Sequence, residues 1–168
     1  MLTAAEVARQ VGIIRPSTSS ENPITYRIQE CSDQAESSTQ DILSNFECIP
    51  LGATPGDSKP LSLSNEEVGR LVEVSRTGAA AFCISGDILT NIALAAVQKE
   101  KSFSRNGSLS TADESHVLLH PAAQSVLTRL VPLVSVFARH APHHKEAVVA
   151  AFNHGGLYTL MCGDGTND

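Results

Sequence analysis

The sequence predicts an α/β fold, in which helices cover both faces of a parallel sheet. Short apolar runs alternate along the chain with segments whose apolar residues recur at helical spacing, and this alternation is typical of parallel strands joined by helices. The apolar residues are mainly aliphatic, with five Phe, two Tyr and no Trp among 168 residues, which suits helices packed on a sheet. A chain of this length is expected to form one domain.

The first helix is predicted over residues 2–11, where apolar residues repeat at i, i+3, i+4 and i+7. Residues 16–60 are rich in Ser, Thr, Gln, Glu and Asn, and we interpret them as a polar insertion or a partly disordered elaboration of the core. Within this region, the alternating apolar residues of Ile24–Ile28 predict an edge strand or one arm of a hairpin. An ordinary irregular region fits the same composition equally well.

The middle of the chain contains a well-marked helix, a strand and a second helix. Ser64 and Glu67 have the spacing of a capping box and predict that a helix starts at this point. The apolar run Ala80–Ile84 predicts a buried strand. Asp87 follows this strand, and we interpret it as the cap of a helix that runs to about Gln98, in preference to a catalytic acid.

The last third of the chain repeats this pattern of strand and helix. A flexible loop is expected over residues 99–117, which are rich in Ser, Asn and Gly. Pro121 and Pro142 each suit the first turn of a helix, and Val134–Ala138 between them predicts a strand. The apolar run Leu157–Cys162 has the length of a fully buried strand.

An acidic turn with the sequence GDGTND follows this last predicted strand. Asp164 lies between two glycines, and Asp168 follows four residues later. Ligands bind just beyond the carboxyl ends of strands in open α/β sheets, so these two acids lie where a phosphate and its metal ion would be expected. A strand followed by an ordinary Asp/Gly turn explains the composition equally well.

Lys145 is the basic residue that fits the same site. It falls in the first turn of the helix that begins at Pro142, where a cation opposes the helix dipole but can help to hold an anion. The preceding strand would bring Lys145 to the same sheet edge as Asp164, so that a phosphate on the lysine and Mg²⁺ on the acid share one pocket. An exposed surface lysine is the alternative interpretation.

Three histidines, His140, His143 and His144, lie close to this lysine in the sequence. Their spacing does not match a zinc-binding H-E-x-x-H helix, and the sequence offers no obvious acidic partner for them. We therefore interpret them as surface residues.

The composition argues against several classes of protein. A formal net charge of −6 argues against nucleic acid as the main partner, and the chain has no run of eighteen apolar residues that would predict a membrane span. The four cysteines have no C-x-x-C spacing, which argues against a zinc framework or a disulfide scaffold. Reduced thiols in a cytosolic compartment are expected.

Two segments carry a resemblance to a known family. Phe137–Glu146, FARHAPHHKE, and Leu160–Asp168, LMCGDGTND, resemble the phosphorylation domain (P-domain) of a P-type ATPase. These two segments resemble subfamily V-A in particular, which comprises endoplasmic-reticulum pumps akin to a transmembrane-helix dislocase. The close resemblance covers residues 133–168, which form the motif-bearing core, and the first fourteen residues, in which Leu2–Ala8 resembles a family sequence. Phe82–Asp87 resembles a later strand of the family.

The resemblance implies a Rossmann-like fold of the haloacid-dehalogenase type, with residues 1–168 forming an incomplete P-domain that carries polar insertions. It also implies Mg²⁺ as cofactor, ATP as substrate and an aspartyl-phosphate intermediate. The site residues implied in this way are Lys145 and Asn167 in the phosphoryl chemistry, Gly163, Gly165 and Thr166 around the cofactor, and Asp164 and Asp168 on Mg²⁺.

The sequence also departs from the family pattern. It contains no DKTGT motif, so the phosphorylated aspartate is missing, and the family's TGD motif does not precede Leu2. We therefore expect a fragment of a pump that is inactive alone. Its partners would be ATP and the remaining nucleotide-binding, actuator and membrane domains. The full-length protein is expected in the endoplasmic reticulum membrane, with this segment on the cytosolic face.

Two other functions remain open at this stage. A soluble phosphatase of the same superfamily would need its own nucleophilic aspartate in a D-x-D-x-T or D-x-x-G-T setting, and none is found. A non-catalytic regulatory module would use the Ser-rich residues 32–41 and 102–115 for regulation.

Overall fold

The computed structural model describes residues 2–14, 23–31, 41–52, 59–103 and 114–160. Its helices and strands, in chain order, are α1 (Leu2–Gln10), β1 (Ile24–Glu30), β2 (Phe46–Pro50), β3 (Leu61–Ser62), α2 (Asn65–Arg76), β4 (Ala80–Ser85), α3 (Gly86–Phe103), α4 (Glu114–Leu118), α5 (Pro121–Leu130), β5 (Val136–Ala138) and α6 (Pro142–His154). Short 3₁₀ turns at Leu43–Asn45 and Val131–Leu133 precede β2 and β5.

The five strands form one mixed sheet in the order β3-β2-β1-β4-β5. Strands β1, β4 and β5 are parallel, whereas β2 and β3 add to the sheet as antiparallel strands. The predicted α/β fold is therefore confirmed, and its parallel part consists of three strands. The antiparallel part arises because β1 and β2 pair as a hairpin, with Ile28 opposite Cys48.

Helices cover both faces of this sheet, as the sequence predicts. Alternate residues of β4 point to opposite faces. Phe82 and Ile84 join the main core beneath α2, α3, α5 and α6. Ala81 packs on the other face with Ala8 and Ile14 from the α1 segment. Strand β4, which lies between β1 and β5, is thus buried on both faces, as is typical of parallel strands.

Strand β1 lies in the middle of the sheet, although its sequence predicts an edge strand or a hairpin arm. It is a hairpin arm with β2, and it also pairs in parallel with β4. Two strands from residues 16–60, β1 and β2, therefore belong to the sheet. The polar residues of β1 are compatible with a position inside the sheet when they have hydrogen-bond partners. Thr25 has one, since its hydroxyl accepts a hydrogen bond from Arg9 at 2.6 Å.

The described parts of the segment predicted as a loop, residues 99–117, are helical. Helix α3 continues to Phe103 and α4 already begins at Glu114, while residues 104–113 lie outside the described part of the chain. The prediction failed at its N-terminal end because Lys99 and Glu100 are polar but are also good helix formers.

The buried strand predicted over Leu157–Cys162 is wrong in its described part. Residues 157–160 form no strand, and their side chains are exposed. An apolar run becomes a buried strand only when a neighbouring strand satisfies its backbone and helices cover its faces. None of the described strands pairs with this segment, and residues 161–162 lie outside the described ranges.

Replacing Ser64 with alanine is expected to lower the free energy of unfolding by about 1 kcal/mol. Ser64 is the N-cap of α2, and its hydroxyl accepts a hydrogen bond from the backbone N–H of Glu67 at 3.3 Å. Urea denaturation of both proteins measures the difference. Ser62→Ala, at an exposed position of β3, is the control and should change stability little. Equal effects of the two substitutions would contradict the cap.

Cys48 and Cys83 are expected to resist alkylation in the folded protein. Both thiols are buried, and burial raises the pKa of Cys48 to about 12 and that of Cys83 to about 11, so that neither supplies the reactive thiolate at pH 8. Peptide mass spectrometry after treatment with iodoacetamide checks this. The half-buried Cys31 should react faster, and all three should react in denaturant. Rapid modification of Cys83 without denaturant would contradict the prediction.

Candidate functional site at the start of helix α6

The candidate site lies where the parallel strands β4 and β5 end and α3 and α6 begin. Gly86 starts α3 directly after β4, and Arg139–Ala141 connects β5 to α6. This is the edge of the sheet at which α/β proteins bind their ligands. Arg139 adopts a left-handed backbone conformation with φ of 56°, which is uncommon for a residue other than glycine.

His144 closes the beginning of α6. Its Nδ1 accepts a hydrogen bond from the backbone N–H of Ala141 at 3.0 Å, and its Nε2 lies 2.9 Å from Thr90 Oγ1. Because Nδ1 accepts, the neutral ring carries its proton on Nε2 and donates it to Thr90. The ring thus accepts a hydrogen bond from the backbone at the helix start, as Glu does in a capping box. Its bond to Thr90 also links α6 to α3.

The interpretation of the three histidines as surface residues is wrong for His144, which is 6% exposed. The ring fits between the two helices because Gly86 has no side chain. A Cβ at Gly86 would lie 2.6 Å from His144 Cε1 and 2.9 Å from the carbonyl oxygen of Arg139. Burial lowers the pKa of His144, and the neighbouring His143 lowers it further.

His140 and His143 are partly buried beside this ring. His140 Nδ1 donates a hydrogen bond to the carbonyl oxygen of Ala138 at 3.0 Å, and burial lowers the pKa of His140. His143 Nε2 lies 3.2 Å from a carboxylate oxygen of Glu114. The sequence showed no acidic partner for the histidines because Glu114 lies far away along the chain and reaches them only through the packing of α4 on α6.

Lys145 lies in the first turn of α6, at the carboxyl end of β5, as the sequence predicts. It is partly buried, and its backbone N–H donates to the carbonyl oxygen of Ala141 at 3.2 Å. Asp87 lies in the first turn of α3 and is exposed. Its negative charge interacts favourably with the positive end of the helix dipole. Asp87 is therefore not the residue before the helix, as the predicted cap would be, but lies within its first turn, because α3 already begins at Gly86.

The other predicted site residues, Gly163, Asp164, Gly165, Thr166, Asn167 and Asp168, lie outside the described residues. The donors described around Lys145 are mainly imidazole nitrogens, which do not suit Mg²⁺.

No helix in the described part of the chain is long and apolar enough to cross a membrane. A shallow cleft of about 350 Å³ lies elsewhere, between the 3₁₀ turn before β2 and the outer side of α3, and Asp41 and Lys99 are among its lining residues. None of residues 139–145 lines this cleft, so it contributes nothing to the candidate site.

Comparison with known proteins gives three short local matches. The chain is 54% identical over 46 residues to a probable manganese-transporting ATPase of Arabidopsis thaliana, 54% identical over 33 residues to an endoplasmic reticulum transmembrane helix translocase of Schizosaccharomyces pombe, and 41% identical over 51 residues to a calcium-transporting ATPase of Bacillus subtilis. These matches cover 27%, 20% and 30% of this chain.

The matched segments make up only 4%, 3% and 6% of the three relatives. No family model matches the chain, and no solved structure matches it. Within these short segments the predicted resemblance to P-type ATPases is confirmed.

Proposed function

We propose that this chain is part of the phosphorylation domain of a P-type ATPase, which couples ATP hydrolysis to transport through an aspartyl-phosphate. The observation that carries the proposal is the position of Lys145, in the first turn of α6 at the carboxyl ends of parallel strands. The segment around Lys145 has the sequence that resembles the family, and the acidic GDGTND turn follows α6 in the chain.

The chemistry of this site is the neutralisation of charge on a phosphoryl group. The ammonium group of Lys145 binds phosphoryl oxygens at the amino end of α6, where the helix dipole also favours an anion. Asp164 and Asp168, with Asn167 as a further polar group, would hold Mg²⁺, which would supply positive charge against the charge that develops during phosphoryl transfer. Gly163 and Gly165 would let the backbone approach the bound groups closely, and the resemblance places Thr166 beside them.

The nucleophilic aspartate comes from another part of the full-length protein, because this chain contains no DKTGT motif. The exposed apolar residues 157–160 support this view. They have the composition of a buried strand, and a strand contributed from outside the chain would give them a partner. The nucleotide-binding, actuator and membrane domains are further partners in the full-length protein.

The cellular location is part of the same proposal. One matched relative is named as an endoplasmic reticulum transmembrane helix translocase, and the resemblance to subfamily V-A points to the same membrane. We assign the full-length protein to the endoplasmic reticulum membrane and this segment to its cytosolic face.

Phosphorylation by radiolabelled ATP tests the proposal. In the full-length protein, with Mg²⁺ and ATP, we expect a phosphoenzyme that hydroxylamine cleaves, and Lys145→Ala should lower turnover on the order of a hundredfold. Lys59→Ala, at an exposed position before β3, is the matched control and should leave turnover unchanged. The purified 168-residue chain should form no phosphoenzyme. A hydroxylamine-sensitive phosphoenzyme on this chain alone would overturn its assignment as an incomplete domain.

A further inference from the structure

We propose that Glu114, His143 and His144 form a binding site for a transition-metal ion, with Zn²⁺ as the preferred ion. One donor atom from each of the three residues lies within 4.8 Å of the other two. The cluster joins the first residue of α4 to the first turn of α6. Its three donor residues are different from Asp164 and Asp168, to which the proposed function assigns Mg²⁺.

Two of the three donor atoms already lie as far apart as two ligands of one metal ion. Zn²⁺ binds nitrogen and oxygen at about 2.0–2.2 Å in tetrahedral geometry, so its ligand atoms lie roughly 3.3 Å apart. His143 Nε2 and Glu114 Oε2 are 3.2 Å apart, and the rings of His143 and His144 have centroids 4.2 Å apart. All three donor atoms lie within 4.8 Å of one another, so closing the site on His144 requires a movement on the order of 1 Å. The His143 and Glu114 side chains can make this movement, because they are 29% and 63% exposed.

A metal ion would give the Nε2 atom of His143 the partner that it lacks. Its Nε2 is buried and has no hydrogen-bond partner, although the Glu114 carboxylate is only 3.2 Å away. The two groups are therefore close but are not oriented as a hydrogen bond, which depends strongly on angle. Buried polar atoms without a partner are rare in folded proteins, and an ion bound between the two groups would coordinate both.

His144 would keep one of its two hydrogen bonds when it binds the ion. Both ring nitrogens are occupied, one by the Ala141 N–H and the other by Thr90 Oγ1. Coordination through Nδ1 replaces the bond from the Ala141 N–H, and the Nε2–H group, which still donates to Thr90, then fixes the orientation of the ring. A hydrogen bond on the second nitrogen is the usual support of a metal-binding histidine.

The donor set selects the class of ion. Two imidazoles and one carboxylate are the ligands of many zinc sites that keep a fourth position for water, and imidazole favours Zn²⁺, Cu²⁺ and Ni²⁺ over Mg²⁺. The amino ends of α4 and α6 oppose a cation here. The Glu114 carboxylate and the nearby charge of Asp87, which acts on the pKa of His144, offset this repulsion.

Calorimetric titration of the purified chain with ZnCl₂ tests the site. We expect one equivalent of Zn²⁺ to bind, unaffected by a large excess of Mg²⁺. His143→Ala and Glu114→Gln should each raise the Kd on the order of tenfold or more, because each removes one of three ligands. His116→Ala is the matched control, since His116 is an exposed histidine of α4 outside the cluster, and it should leave the Kd unchanged.

Two further measurements test the ligands of the ion by spectroscopy. Co²⁺ should give a spectrum without thiolate charge-transfer bands, because no cysteine belongs to the cluster. In the unaltered chain, Zn²⁺ should shift the NMR signals of the His143 and His144 rings and leave those of His116 in place, so a variant that fails to fold does not decide the matter. Absence of stoichiometric binding, an unchanged Kd in folded His143→Ala, or thiolate bands with Co²⁺ would each overturn the proposal.

Discussion

Gly86→Ala is expected to lower the free energy of unfolding by about 3 kcal/mol. The added methyl group would lie 2.6 Å from His144 Cε1 and 2.9 Å from the carbonyl oxygen of Arg139, and forcing extra atoms into a packed site typically costs about 1–3 kcal/mol. The histidine would have to move, which would also weaken its hydrogen bonds to Ala141 and Thr90, each worth about 1 kcal/mol. Urea denaturation followed by circular dichroism measures the loss.

Gly69→Ala provides the matched control for this substitution. Gly69 lies within α2, and a Cβ there would meet no atom within 4 Å. Since alanine favours a helix over glycine by up to about 1 kcal/mol, this variant should be more stable than the original chain. A Gly86→Ala protein as stable as Gly69→Ala would show that His144 does not need the space that Gly86 leaves.

Local signals predicted the helices of this fold well. The start of α2 follows from Ser64 and Glu67 because a helix cap is made by residues three positions apart. The starts of α5 and α6 follow in the same way from Pro121 and Pro142, since proline lacks the N–H that the first turn of a helix leaves unpaired. These features depend on neighbouring residues alone, and a single sequence contains them.

Strand positions were harder to predict because they depend on pairing between distant residues. Ile24–Ile28 showed the alternation of a strand, but its central place in the sheet depends on β2 on one side and β4 on the other. Leu157–Cys162 showed an apolar run, yet residues 157–160 are exposed without a paired strand. Periodicity indicates which residues can be buried, and only the tertiary structure decides whether they are.

In the candidate site too, the feature set by neighbouring residues was predicted and the features set by distant contacts were not. The sequence placed Lys145 in the first turn of a helix beyond a strand, and this position is confirmed. It missed the burial of His144 and the contact between His143 and Glu114. Both depend on α6 packing against α3 and α4, which no spacing of residues within α6 could reveal. The local signal was the three-residue spacing of Ala141 and His144, which allows the histidine to bond back to the helix start.

Phe82→Ala is expected to have the largest effect on stability, a loss of about 4 kcal/mol in the free energy of unfolding. Phe82 is fully buried at the centre of β4, and its ring stacks on that of Tyr26 with centroids 5.4 Å apart and an angle of 16° between the planes. The two residues are direct partners in the parallel ladder. Alanine would leave a cavity against Tyr26 and remove apolar area from the main core.

The effect should extend to the candidate site, because β4 and β5 hold its position. The carbonyl oxygen of Phe82 accepts a hydrogen bond from the N–H of Ser135 at 2.8 Å, directly before β5. Urea denaturation measures the loss, with Tyr158→Ala as the control. Tyr158 is fully exposed, so its removal should change stability by less than about 0.5 kcal/mol. If Phe82→Ala cost less than about 1 kcal/mol, β4 would not be the strand on which the two layers of helices pack.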